Sequence, residues 1–167
     1  MYRFDYQRNK KGEGYVLRFL WLFRVGQSSD NYIVKKIVTL LLGHYRLKYG
    51  LEISHHTKIG KGLYLGHAFN ITINPRAVIG DNCNLHKGIL IGRTNRGKMK
   101  GVPTIGNQVW IGINAVIVGN VTIGDDVLIA PNTFVNCDVP SHSVVYGNPC
   151  VIKHRDHATE GYINNIV

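Results

Sequence analysis

The sequence predicts an all-β solenoid, a parallel β-helix of about four coils preceded by a short α-helical segment. Three observations carry this. An aliphatic residue returns every six positions at Ile105, Ile111, Ile117, Ile123, Ile129 and Val135. The same period appears upstream at Ile53, Ile59 and Leu65 and, after a step of eight, at Ile73, Ile79, Leu85 and Ile91, which makes thirteen hexads. The place after the aliphatic is often glycine, as at Gly60, Gly66, Gly80, Gly92, Gly106, Gly112 and Gly124. A period of six fits neither a helix nor an isolated strand, and marks a stack of short strands joined by tight corners. Three hexads close one triangular coil, so thirteen make a little over four, each covering the apolar edge of the next.

The domain organisation follows: residues 1–50 form a helical front, 51–153 the β-helix and 154–167 a polar tail, draped or disordered. Residues 1–14 read as an irregular arm. Tyr15 to Val25 is apolar with basic interruptions and reads as one helix. After the break at Gly26, Ser28 and Ser29, Asp30 or Asn31 caps a second helix from about Tyr32 to Lys48, and Gly50 ends it. In that helix Ile33, Ile37, Leu40, Leu41 and His44 recur at helical spacing. The stripe has two readings: a hairpin covering the open end of the β-helix, or a basic pair that docks on a membrane surface or a partner.

Composition narrows the function classes. The net charge is +10, and residues 1–50 hold ten Lys or Arg against three Asp or Glu, a net of +7. A basic front suits an anionic surface or substrate. No zinc knuckle, helix-turn-helix cue or interleaved aromatics point to nucleic acid. Tyr2 to Gly14 has no apolar core of a signal peptide, and the apolar run before Val25 is too short to span a membrane. Cys83, Cys137 and Cys150 form no CxxC pair and read as free thiols in a cytoplasmic setting. The histidines lack the spacing of a β-helix metal site, so no metal is expected.

Chemistry is expected where the repeat breaks. The longer break, from Ile91 to Ile105, holds Arg93, Arg96, Lys98 and Lys100 and reads as an extruded basic loop. The shorter, between Leu65 and Ile73, holds His67. One coil across it takes Leu65 to Leu85, which stacks His86 on Gly66 and brings two imidazoles to one edge. A neutral imidazole held within reach of a hydroxyl can take its proton at neutral pH.

The hexads, Glu52-Ile53, Lys58 to Gly62, His67-Ala68, Ile111-Gly112, Gly124-Asp125 and Gly147-Asn148-Pro149 resemble the bacterial serine acetyltransferase branch of the left-handed β-helix acyltransferases, over about Leu51 to Lys153. The resemblance implies a left-handed coil, acetyl-CoA as donor and a homotrimer with the donor between neighbouring subunits. It implies His67 as general base and Glu52, fifteen residues earlier, as the carboxylate that orients it. The pantetheine arm would lie along Gly112, Ile113, Ala130 and Pro131, with Arg93 and Lys153 as partners for the donor's phosphates.

Two departures bear on the acceptor. The family carries Asp where this chain has Gly66, and an Arg-His pair where it has Gly101-Val102, so neither charge of serine finds a partner at those positions. The short helical front and His86-Lys87-Gly88 look instead like the colanic-acid and capsular polysaccharide O-acetyltransferases. The expectation is therefore an acetyl-CoA-dependent O-acetyltransferase acting on a sugar hydroxyl in surface polysaccharide biosynthesis, in the cytoplasm at the inner membrane face. The alternatives are a serine O-acetyltransferase of cysteine biosynthesis and a non-catalytic trimeric scaffold.

Overall fold

The computed structural model describes residues 1–167. Fifteen short strands wind into a three-sided prism: β1 Leu51–Ile53, β2 Lys58–Ile59, β3 Tyr64–Gly66, β4 Ile71–Ile73, β5 Val78–Ile79, β6 Asn84–His86, β7 Leu90–Gly92, β8 Thr104–Ile105, β9 Val109–Ile111, β10 Val116–Val118, β11 Thr122–Ile123, β12 Val127–Ile129, β13 Phe134–Val135, β14 Ser143–Tyr146 and β15 Val151–His154. Face A stacks β1-β4-β7-β10-β13, face B β2-β5-β8-β11 and face C β3-β6-β9-β12-β14-β15. All pairs are parallel except β14 with β15.

The hexad aliphatics are the rungs of this ladder. On face C, Leu65 aligns with Leu85, then Ile111, Ile129 and Val145. On face B, Ile59 aligns with Ile79, Ile105 and Ile123. All thirteen are buried in one core cluster, and burying a side chain of this size contributes about 1.5–3 kcal/mol. Cys83 fills one of the small slots of the same core.

The solenoid has five turns, one more than the hexad count predicts. The fifth is made by β13, a bridge from Ile123 to Val139, and β14. Val139 stands four residues after Val135, so the inward position is filled although the six-residue period has lapsed. The C-terminal segment is ordered as well, where the polar composition allowed a disordered tail. Lys153 lies in β15, and Ala158, Thr159 and Ile163 are buried. This strap returns over face C to the first coils, where Asn84 Nδ2 donates to the Tyr162 carbonyl at 3.2 Å and Val167 exchanges two bonds with Asn82 at 3.0 Å.

The front consists of α1 Tyr2–Asn9, α2 Gly14–Ser28 and α3 Tyr32–Tyr49. Asn31 caps α3 by accepting from the Ile33 and Val34 amides, and Gly50 ends it at φ 65°. The expected irregular arm is instead α1, and its polar residues are its buried ones: Asp5, Arg8 and Asn9. They satisfy the open backbone of the first coil. Asp5 Oδ1 accepts from the Leu63 amide at 2.9 Å, and Asn9 accepts from Leu65 and donates to the Leu63 carbonyl. Arg24 of α2, paired with Asp5 at 2.6 Å, donates to the Ile59 and Gly60 carbonyls. An unpaired strand edge is thereby closed by side chains.

Phe19, Leu20 and Phe23 of α2 are fully buried over the end of the prism. That leaves α3 outside, with Val38 and Leu42 turned inward. The stripe of Ile33, Ile37, Leu40 and Leu41 does not face the β-helix: Leu40 is 77% exposed and Ile37 53%. No helix is long and apolar enough to cross a membrane.

Candidate active site

The corner between faces C and A gathers most of the expected site residues. Gly66 pairs with His86 in the register of β3 and β6, as the twenty-residue coil predicts. The register continues upward, so Gly112 follows His86 and Ala130 follows Gly112. One edge of the prism therefore carries Gly66-His67, His86-Lys87, Gly112-Ile113 and Ala130-Pro131 in successive rungs.

His67 sits at φ 50° in the widened corner and is exposed. The front of the chain pins this corner. The Tyr15 hydroxyl donates to the Ala68 carbonyl at 2.9 Å, and the Asn70 amide donates to the Tyr49 carbonyl at 2.8 Å. Tyr15 and Tyr49 stack on each other with ring centroids 4.0 Å apart. The widened turn is thus tied to α2 through the first bond and to the end of α3 through the second.

His86 is half-buried, in tilted contact with Trp110 at 4.7 Å between centroids. Burial, and then the neighbouring His67, push its pKa down to about 4, so its imidazole is neutral at physiological pH. Its Nε2 is buried with no hydrogen-bond partner. Gly112 lets the upper rungs stack closely, since a Cβ there would stand 2.6 Å from the Pro131 nitrogen.

The remaining expected residues stand apart from that edge. Glu52 lies on the outer side of β1, where Thr72 Oγ1 donates to its Oε2 at 3.4 Å. No hydrogen bond joins Glu52 to His67. Glu52 and Arg93 line a groove of about 710 Å³ on face A that contains neither His67 nor His86. Arg93 opens the basic loop, which is closed by two backbone bonds of 3.0 Å between Thr94 and Gly101. Lys153 is exposed, with Nζ 5.7 Å from the centre of the Tyr146 ring.

On the other side of the edge, face C holds a cleft of about 340 Å³ lined by His86, Tyr64, Trp110, Tyr162, Lys10 and Lys11 among others. This smaller cleft, unlike the groove, contains one of the two edge imidazoles and so borders the site. Apart from His86, its walls were not among the residues expected from the sequence. Tyr64, Asn84 and Trp110 each stand one place before a hexad aliphatic and share one outward column, so the repeat did carry a signal for them. Lys10, Lys11 and Tyr162 carried none.

Residues 103–137 match the bacterial transferase hexapeptide family (six repeats). These residues carry the six-residue repeat by which that family is described. The chain is 34% identical over 120 residues to a serine acetyltransferase of Synechococcus elongatus, covering 71% of the chain and 49% of that relative. It is 37% identical over 107 residues to a serine acetyltransferase of Helicobacter pylori, covering 64% of the chain and 63% of the relative. It therefore spans about half to two-thirds of the length of these curated relatives. The crystal structure of a Brucella abortus serine acetyltransferase in complex with coenzyme A superposes with a TM-score of 0.80 at 23% identity, over 93% of this chain and 67% of that one. At that identity the likeness shows the shared fold.

These relatives overturn the expected sugar acceptor, the role in polysaccharide biosynthesis and the resemblance to colanic-acid and capsular O-acetyltransferases. Those expectations rested on missing charged partners at positions 66, 101 and 102. Position 66 lies in the repeat and positions 101 and 102 in the loop that interrupts it, whereas the fold brings Lys10 and Lys11 to the cleft beside His86 from the helical front.

Proposed function

We propose that this chain is an acetyl-CoA-dependent O-acetyltransferase and that its acceptor hydroxyl is that of serine, the activity its relatives are named for. The observation that carries the reading is the single edge on which His67, His86 and the small residues Gly112 and Ala130 stand in successive rungs. In this reading a thin pantetheine arm lies along the outside of these small-residue corners, one rung above an imidazole. Arg93 and Lys153 are placed in this reading as partners for the donor's phosphates.

When bound, acetyl-CoA supplies the activated acetyl thioester. His67 Nε2 accepts the proton of the acceptor hydroxyl as its oxygen bonds to the acetyl carbon. The carbon–sulfur bond breaks, and the proton held on His67 passes to the departing thiolate, which leaves an ester and free coenzyme A. Glu52, on face A and bonded to Thr72 instead of His67 in this structure, would have to turn toward the other ring nitrogen to act as a triad carboxylate. His86, neutral and desolvated, keeps a second positive charge away from His67. A homotrimer belongs to the same proposal, with the exposed edge completed by a neighbouring copy.

The test is thiol release from acetyl-CoA in the presence of serine, with the ester identified by mass spectrometry. Serine-dependent release that falls about 10²- to 10⁴-fold in His67→Ala is the expected result. Release untouched by that substitution would sink the mechanism.

A further inference from the structure

The cleft on face C has a composition that the proposed reaction does not by itself require. Tyr64, Trp110 and Tyr162 form its walls, and the rings of Trp110 and Tyr162 meet edge to face at 5.2 Å. His86 lies at the side nearest the catalytic edge, with Nε2 unpartnered. Three cations line the cleft, Arg8, Lys10 and Lys11, and no Asp or Glu does.

The cations have different duties. Arg8 is committed to the fold, since its guanidinium donates to the Gly62 carbonyl, to Asn84 Oδ1 at 2.7 Å and to the Asn164 carbonyl at 3.3 Å. All three acceptors are neutral. Asp5, one turn earlier on α1, is spent on Arg24. Lys10 and Lys11, in the turn after α1, are exposed and make neither an ion pair nor a side-chain hydrogen bond.

We infer that this cleft is the acceptor subsite and that Lys10 and Lys11 make it select a hydroxy-carboxylate, with no requirement for an ammonium group. The inference rests on the acetyl-transfer reading above and narrows its acceptor class. A carboxylate entering between the two lysines gains charge-assisted bonds beside the aromatic walls. An ammonium group in the same place meets only like charge and no carboxylate to pair with. The hydroxyl end of such an acceptor points toward His86 and the edge that bears His67.

The experiment compares L-serine, 3-hydroxypropanoate (serine without its amino group) and serinamide (serine with its carboxylate replaced by a neutral amide) as acceptors. The proteins are the wild type and the double variant Lys10→Glu/Lys11→Glu. Binding is followed in parallel by Trp110 fluorescence, with Trp110→Phe as the control for the chain's second tryptophan. In the wild type, 3-hydroxypropanoate should serve at least as well as L-serine, and serinamide should lose about 10- to 100-fold in kcat/KM. In the double variant KM for 3-hydroxypropanoate should rise by a similar factor while serinamide improves, a gain that a misfolded protein would not show. Serinamide matching 3-hydroxypropanoate in both proteins, in turnover and in fluorescence, would overturn the inference. Carboxylate-dependent and lysine-dependent quenching without transfer to any acceptor would uphold the subsite and instead remove the acetyltransferase reading.

Discussion

Gly66 and His86 are direct partners in the register of β3 and β6, and the imidazole occupies the space that a side chain at position 66 would need. A Cβ built there would stand 2.5 Å from His86 Cε1. The resemblance to serine acetyltransferases places an Asp at this position, and in this chain such a side chain and the present His86 rotamer exclude each other. We therefore expect Gly66→Ala to displace the ring toward solvent and move its pKa back up toward the ordinary histidine value. Titration of the His86 ring protons by NMR checks this, and an unchanged titration would refute the packing account.

The same depressed pKa sets a pH dependence of stability. Below about pH 6.5 the unfolded chain takes up a proton at His86 that the folded chain refuses. Stability from this group is thus fully present above that pH and is lost as pH falls toward about 4. His55, also lowered, first by burial and then by His56, adds to the same limb. Urea melts at about pH 7 and about pH 4.5 should show a smaller acid loss in His86→Gln than in the wild type.

Asp5 and Arg24 are 0% and 4% exposed and pair at 2.6 Å, which ties α1 and α2 to the first coil. Asp5→Ala leaves the buried Arg24 guanidinium without its counter-charge and the Leu63 amide without its acceptor. A loss of about 3–5 kcal/mol is expected, read as a lower denaturation midpoint. A midpoint close to the wild type would mean that the helical front is not part of the cooperative unit.

Asp126 is the clasp of the C-terminal strap. Its carboxylate accepts from the Thr159 hydroxyl at 2.7 Å, the Thr159 and Ala158 amides and His142 Nδ1. Burial raises its pKa, and these bonds together outweigh that and hold it below the ordinary value. Asp126→Ala should cost about 1–3 kcal/mol and open residues 155–167 to limited proteolysis. Resistance equal to the wild type would show that the strap is held by other contacts.

Exposed surface should behave differently from these buried points. His67 is exposed and makes no side-chain hydrogen bond, so His67→Ala should leave the stability within about 0.5 kcal/mol of the wild type in a urea melt. A large shift would assign His67 a structural role.

Much of the molecule was legible in the chain. The positions of the rungs, the pairing of Gly66 with His86, the cap at Asn31 and the stop at Gly50 all follow from local spacing or local turn chemistry. Each hexad finds its partner three hexads away, so period alone dictates register and a repeat along the chain becomes a stack in space. The α1 helix was missed because its buried residues are polar, and apolar periodicity places polar residues outside.

What the amino-acid order determined by itself is therefore the solenoid and the edge that carries His67 and His86. Tertiary structure alone decided the clefts beside that edge, the exposed stripe of α3 and the lysines that line the smaller cleft. These depend on contacts between distant parts of the chain, such as Arg8 with Asn84 and Asn82 with Val167. Such contacts are made by side chains satisfying a backbone left open at the ends of the stack, and no periodicity records which distant residue will do it.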